Sequence, residues 1–524
     1  MPGSEPPATL QTLRYLSGAL PDALPQAPQT VPPRSYFALR LGYNESPTPE
    51  LQMLLCRTCA WLLAIVLSLC TMCVAADVGP PNLVIFLSDD HGYFDSSLIE
   101  DSGFRTPNLA RIAADGMTFT HAFAASPSCA PSRAALLTGL MPARNGAMLN
   151  HQPPRTDAKK LPAYFRELGY EVAAFGKVAH YKQGKDYGFD HVSHDGFHDH
   201  ECIPAALEYL SQRTSNRPLC LFVGTNWPHV PWPEATGDNE SSVPKLPPTH
   251  VDTPETRHWR RRYAAAVEMF DRDLGAVYDA AFKQLGPKAL FLHFSDHGAQ
   301  WPFGKWNLYD AGIRVPFVAV WPGVIQPGSR SGAMVSLVDV LPTLVECAGG
   351  APPEGIDGRS FAGVLTGARN EHRDRIFTTH SGDGRMNAYP IRSVRTPRWK
   401  YILNFDPAAE HHTHINLGKS VDGSDYWTSW VEKAASDRAA ASLVQRYFRR
   451  QAEELYVLDS DPHEQQNLAN DPAHAETLAK LRDGLDAWMQ AQGDAGLATE
   501  QANASAFLEA ANKNRDAAQP AVAR

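Results

Sequence analysis

Five stretches of the chain are apolar almost without interruption: residues 82–87, 170–175, 218–224, 289–294 and 315–321. Each is rich in Val, Leu, Phe or Ala, is short, and ends in polar residues. That is the pattern of strands buried on both faces, as in a parallel sheet. Between them residues 106–114, 161–168, 203–213 and 255–285 read as helices, as do 335–347 after the last, and a further helix follows the turn at residue 128. Strand and helix in alternation argue for an α/β fold with a mainly parallel sheet. Beyond Gly367 the texture changes. Residues 376–380, 391–394 and 399–403 read as short strands joined by turns, and 434–454 and 473–492 as helices. This predicts a smaller α+β domain carrying an antiparallel sheet, then a loose, polar, Ala-rich tail.

The first 76 residues stand apart. Residues 53–76 open with Met53 and Arg57, run apolar and uncharged from 59 to 74, and close on Val74-Ala75-Ala76. These are the parts of a secretory signal. The apolar run is short for a membrane span, so cleavage is expected rather than a stable membrane anchor, an uncleaved anchor being the alternative. The expected location is secreted or periplasmic. Residues 1–52, rich in Pro and polar residues, form an extension ahead of the signal. The expected division is thus 1–76 extension and signal, 77–370 catalytic domain, 371–492 C-terminal domain and 493–524 tail.

The chain of 524 residues carries a net charge of −9. Residues 1–76 hold four basic and four acidic side chains, so the remainder keeps the whole deficit. A nucleic-acid or general polyanion binder would be basic. Any anion site must be local, and neither an internal repeat nor a nucleic-acid motif is present. Of eight cysteines, Cys56, Cys59, Cys70 and Cys73 fall in the leader, leaving Cys129, Cys202, Cys220 and Cys347. This is no disulfide scaffold.

Cys129 opens the turn Ser128-Cys129-Ala130-Pro131-Ser132-Arg133, which leads into a helix ending near Leu137-Thr138-Gly139. Pro131 suits a first helical turn, where its missing N–H costs nothing. Free N–H groups and the dipole favour an anion there, and Arg133 returns to the same face one turn on. Two other strand ends carry carboxylates, in Asp89-Asp90-His91-Gly92 and Asp296-His297-Gly298. Parallel strands bring their carboxyl ends to one edge. Three carboxylates meeting there call for a divalent cation.

The order Cys-x-Pro-Ser-Arg followed by Leu-Thr-Gly resembles the signature of the type I sulfatases. The resemblance runs from about residue 80 to 490 and implies an alkaline-phosphatase-like α/β core. It implies that Cys129 is oxidised to formylglycine by a maturation enzyme, the aldehyde hydrate then serving as nucleophile. It assigns one calcium ion to Asp89, Asp90, Asp296 and His297, with residue 129 completing the set. Asn is common in the family where His297 stands. Lys177 and His180 match the Lys and His flanking the nucleophile, with Lys-x-x-His where many members have Lys-x-His. His229 matches the acid that protonates the leaving group, and Lys305 and Arg133 add positive charge. His180 is the candidate base that lets sulfate depart. Within the family, Tyr389-Pro390-Ile391-Arg392-Ser393-Val394 and Glu454-Leu455-Tyr456-Val457-Leu458-Asp459 are similar to the heparan N-sulfatases, although animal members tend to carry Arg at position 305. The implied substrate is a sulfated saccharide, N-sulfoglucosamine first, gripped near His380 and residues 389–392. An O-sulfatase, a phosphoesterase or phosphonate hydrolase of the same superfamily, and a non-catalytic glycan-binding relative are the alternatives. The oligomeric state is left open.

Overall fold

The computed structural model describes residues 79–236, 243–384 and 386–518. The chain divides into two units, Met1–Asp77 and Val78–Arg524, and every described strand and helix belongs to the second. The extension and the signal at 53–76 lie outside the described residues.

Among the described residues fourteen strands are formed: β1 Leu83–Ser88, β2 Met117–Phe119, β3 Ala122–Phe123, β4 Glu171–Gly176, β5 His191–Ser193, β6 Leu219–Gly224, β7 Leu290–Ser295, β8 Phe317–Val320, β9 Ser329–Ser331, β10 Val335–Ser336, β11 Ile376–His380, β12 Ile391–Arg395, β13 Trp399–Asn404 and β14 Glu453–Val457. The helices of seven residues or more are α1 Pro107–Asp115, α2 Cys129–Thr138, α3 Leu161–Glu167, α4 Cys202–Gln212, α5 Pro254–Leu285, α6 Val340–Cys347, α7 Ser424–Ala434, α8 Arg438–Phe448, α9 Ala475–Gln492 and α10 Leu497–Ala518.

The main sheet runs β5-β4-β6-β1-β7-β8-β2-β9. It is parallel except around β8, which is antiparallel to both neighbours. The five predicted apolar strands are its β1, β4, β6, β7 and β8. β1 sits between β6 and β7, every residue buried, and its side chains alternate between two cores. Leu83, Ile85 and Leu87 join one core, while Val84 and Phe86 join the other, under α5. Truncating any one of them to Ala would cost about 2–5 kcal/mol, because close-packed cores collapse only partly around a cavity. α5 is well capped. Thr253 accepts from the Thr256 amide, Pro254 opens the first turn, and Gly286 at φ 74° ends it.

β11 to β14 form a separate antiparallel sheet. Its strands are tied to the main body by Arg395 and Lys400, which pair with Asp310 at 3.1 and 2.5 Å, and α7 packs on α5, where Trp430 Nε1 donates to Thr256 Oγ1 at 2.7 Å.

Three expectations are corrected. Residues 335–347 are not one helix. Val335 and Ser336 pair with β3, and the Ser336 amide donates to Asp339 Oδ2 at 2.9 Å over a 3-10 turn, so the α-helix begins only at Val340. Residues 434–454 are not one helix either. Asp437 caps a new one by accepting from the amides of Ala439 and Ala440, and Glu453–Val457 leaves it to pair with β13. The tail from 493 is not loose at its start. It enters α10, and Asp494 and Glu500 are buried against Arg392, each 2.6 Å from its guanidinium. Two buried carboxylates on one guanidinium hold that segment down, since each charge left alone would cost several kcal/mol.

Candidate active site

Loops at the carboxyl ends of β1, β4, β6 and β7 meet the start of α2. Asp89 and Asp90 follow β1, Lys177 follows β4, His229 lies in the loop after β6, and Asp296 and His297 follow β7. Asp90 adopts a left-handed φ of 63°, unusual for a residue with a side chain. Its amide donates to Asp296 Oδ1 at 3.1 Å, and the His297 amide donates to the same oxygen at 2.9 Å. Gly298 is required by the close approach of the next turn. A Cβ there would lie 1.9 Å from the Ala311 carbonyl oxygen.

Cys129 sits at the floor, 2% exposed. Its Sγ lies 3.3 Å from His297 Nε2, 3.5 Å from Lys177 Nζ, 3.8 Å from Asp89 Oδ1 and 4.0 Å from Asp90 Oδ1. Burial pushes the thiol up to about 12, although Lys177 and Lys305 pull the other way. As a plain cysteine it is therefore protonated and a poor nucleophile.

The acids around it are matched by cations. Arg133, fully buried, reaches Asp296 Oδ2 at 2.9 Å and Asp89 Oδ1 at 3.1 Å. It also donates to the Lys177 carbonyl oxygen. Lys177 Nζ lies 2.5 Å from Asp89 Oδ2, and Lys305 Nζ 2.7 Å from Asp90 Oδ2. Burial alone would raise both aspartates. For Asp89, Lys177, His229 and Arg133 overcome it and hold the carboxyl well below its usual range. For Asp90, burial wins over Lys305 and His297, and the carboxyl is raised.

The residues present suit a divalent cation. Ligand atoms of Asp90, Cys129 and His297 lie within 4.8 Å of one another, as do those of Asp89, Cys129 and Asp296. His297 supplies the most direct sign. Its Nδ1 is 2.9 Å from the Gly298 carbonyl, which can only accept, so the proton is on Nδ1. Nε2 then offers its lone pair toward Asp90 at 3.4 Å and Asp296 at 3.7 Å. A ring fixed by its other nitrogen in this way is how histidine ligands are held.

The two remaining histidines differ. His229 Nδ1 donates to the Val230 carbonyl at 2.5 Å, which turns Nε2 toward Asp90 at 3.9 Å. Burial, then Lys305 and Lys177, hold His229 well below the ordinary imidazole range. His180 Nε2 meets His151 Nδ1 at 2.6 Å, and its buried Nδ1 has no partner. Burial, Lys177 and His151 push His180 down to about 2, so it is neutral.

Residues 81–351 match the family described as Sulfatase, and residues 297–419 match the region described as N-sulphoglucosamine sulphohydrolase, C-terminal. The chain belongs to the sulfatase family. Among curated relatives, an ulvan-active sulfatase of Formosa agariphila is 32% identical over 423 residues, covering 79% of this chain and 81% of its own. Human N-sulphoglucosamine sulphohydrolase is 27% identical, covering 82% and 92%. Among solved structures, a protein in complex with its substrate D-glucosamine-2-N,6-O-disulfate superposes with a TM-score of 0.61 at 19% identity, covering 79% and 99%. A 2-O glycosaminoglycan sulfatase gives 0.60 at 22%, covering 79% and 93%. These two establish the fold, which is alkaline-phosphatase-like. Membership makes the protein a hydrolase of sulfuric esters or sulfamates.

The sulfatase pocket over Cys129 has a volume of about 160 Å³. Besides Lys177, His180, His229 and Lys305, its walls carry Asp383, His414, Tyr181 and Phe197, which the sequence reading missed. Tyr181 carries no sequence signal beyond its place after Lys177, yet its hydroxyl lies 2.6 Å from Lys177 Nζ. Asp383 is 8% exposed, accepts from Asn150 Nδ2 at 2.9 Å, and lies 3.4 Å from His151 Nε2 and 3.9 Å from His414 Nε2. Its Asp-Gly turn just after a strand was the available signal. His380 and residues 389–392, expected to grip the sugar, do not line this pocket. His380 is 1% exposed between Ser128 and Asn387, Tyr389 is buried, and Arg392 is consumed by Asp494 and Glu500.

Proposed function

We propose that this sulfatase removes sulfate from a sulfated glycan, with the sulfamate of N-sulfoglucosamine as the leading substrate. The observation that carries the reaction is the floor of the pocket, where Cys129 at a helix start is ringed by Lys177, Lys305 and convergent carboxylates. The match of residues 297–419 to N-sulphoglucosamine sulphohydrolase and the similarity to the human enzyme support the choice of substrate.

Asp89, Asp90, Asp296 and His297 would hold a divalent cation, calcium on the resemblance, which supplies Lewis-acid polarisation of a sulfate oxygen. Conversion of Cys129 to formylglycine would supply a hydroxyl nucleophile in place of a thiol that burial keeps protonated. Lys177 and Lys305 orient the sulfate group and offset its charge. His229 donates the proton to the departing nitrogen or oxygen from Nε2. An anionic group entering between Lys177 and Lys305 counters the two charges that depress His229, so substrate itself raises the acid's proton affinity. His180 is neutral, with a buried Nδ1 that meets no partner, and is the candidate base. Arg133 touches Asp89 and Asp296 and positions them.

Export through the 53–76 signal, a formylglycine-generating partner, and a division near residue 370 belong to the same reading. Among the described residues, no helix is long and apolar enough to cross a membrane. The deciding experiment is release of free sulfate from N-sulfated and 6-O-sulfated glucosamine, with an aryl phosphate alongside. Turnover of the N-sulfate is expected. Turnover of the O-sulfate alone would overturn the substrate, and turnover of the phosphate alone would overturn the reaction.

A further inference from the structure

We infer that the protein has a second anion site, in the cavity between α8 and β14, built from Arg446 and Arg450 to take a small tetrahedral oxyanion such as sulfate. The cavity measures about 380 Å³, room for such an ion and several waters. Ser442, Gln445, Gln451 and Asn467 complete a polar lining.

The charges in this wall are unbalanced. Arg449, also in it, is already paired with Glu410 at 2.7 Å. Among the described residues, neither Arg446 nor Arg450 forms an ion pair. Arg450 is 7% exposed and its Nε has no partner; Arg446 Nη2 is likewise buried and unpartnered. The acid in this wall, Glu454, favours Arg446 through its charge but makes no direct ion pair with either arginine. Both oxygens of Glu454 are taken, Oε1 by Asn404 at 2.8 Å and Oε2 by the hydroxyls of Tyr309 at 2.7 Å and Tyr456 at 2.5 Å. Aromatic faces hold the guanidinium groups in place. Arg446 lies 4.7 Å from the Phe303 ring centre and 4.9 Å from that of Tyr309, and Arg450 lies 5.4 Å from Tyr309. Two cations, Arg450 buried and Arg446 half-buried, share the charge of Glu454 alone, an imbalance that is costly, and the planar, preorganised forks suit an oxyanion.

The cavity is connected to the catalytic machinery. Arg450 Nη2 donates to Asn307 Oδ1, and Asn307 Nδ2 donates to the Lys305 carbonyl at 2.9 Å. An ion here would therefore bear on the segment that carries Lys305. Sulfate is the oxyanion this enzyme releases, which makes it the natural occupant.

The test uses the full chain and inorganic sulfate or selenate. Crystals soaked in selenate should show an anomalous peak within hydrogen-bond distance of Arg446 and Arg450. In solution, sulfate should raise the melting temperature of the wild type and of Lys305→Ala, in which one of the two lysines that hold sulfate in the active site is gone. Ser442 and Arg446 are four apart on α8, so Ser442→Glu places a tethered carboxylate against the guanidinium. That variant should melt higher without sulfate and bind sulfate at least ~10-fold more weakly, the loss of one charge-assisted contact. Absence of the anomalous peak, a sulfate response that vanishes in Lys305→Ala, or one that survives intact in Ser442→Glu would each overturn the proposal.

Discussion

Replacing Arg133 by Lys keeps the charge and removes the fork. The guanidinium bridges two buried carboxylates, at 2.9 Å to Asp296 and 3.1 Å to Asp89, and both must face the cation for it to bind. A lysine ammonium has one point of attachment and can serve one of them well. Besides the fork's bond to the Lys177 carbonyl oxygen, the variant thus gives up one charge-assisted hydrogen bond to a ligand carboxylate, about 1.5–3 kcal/mol. If that bond acts only by holding a ligand in place, the whole loss falls on metal affinity, about 10- to 150-fold. This agrees with the usual 10- to 100-fold cost of removing a group that orients a metal ligand. The assay is calorimetric titration of chelator-stripped protein with calcium, alongside turnover as a function of calcium. Turnover should recover largely at saturating calcium, and the metal-free protein should melt somewhat below the wild type through the lost bond to the Lys177 carbonyl oxygen. A calcium affinity within about twofold of wild type, in a folded variant, would refute the positioning argument.

Cys129→Ala should fold as the wild type does and release no sulfate, and a peptide mass spectrum across residue 129 of active protein should show formylglycine. Asp383→Asn should raise KM for the saccharide by about tenfold, the worth of one charge-assisted contact to a sugar group, while a small aryl sulfate is turned over as before. Equal effects on both substrates would remove Asp383 from the sugar site. Burial pushes Asp273 up to about 6 despite the Thr225 hydroxyl donating to it at 2.6 Å. The native state therefore prefers the protonated carboxyl, so this group's contribution to stability grows as pH falls through 6 toward the unfolded value near 4, and is lost as pH rises. Asp273→Asn should stabilise at pH 8 by up to ~3 kcal/mol and much less at pH 4, and urea unfolding showing no such difference would sink the idea.

The central sheet was legible because both faces of its strands are covered, which leaves continuous apolar runs such as Leu83–Ser88. The short strands β2, β3, β5, β9 and β10 were not, since two or three residues carry no periodicity. β14 was hidden behind a helical stretch. Its pairing with β13 is a long-range fact that overrides the local preference of Glu453, Glu454 and Leu455 for helix. In the site, residues tied to strand ends or to the Cys129 motif could be found, and the structure gathers them. Asp383 offered only its Asp-Gly turn and His414 no signal, because their chemistry depends on where a second sheet packs. Arg392 shows the opposite error. An arginine in a motif invites a functional reading, but here Asp494 and Glu500, more than a hundred positions away, claim it.

On the proposed reading, the burial of Cys129 also fixes an order of events in the making of the protein. Another enzyme has to reach a side chain that ends 2% exposed, under Lys177 and His297 and at the first turn of a helix buried along its whole length. It can do so only while α2 is still open chain. Conversion and folding then compete for the same segment in time. A substitution that speeds the closing of this core would make a more robust fold and, in the same cell, a larger fraction of inert molecules. Activity per molecule in a preparation would report how long the chain stayed open as much as how well its pocket works.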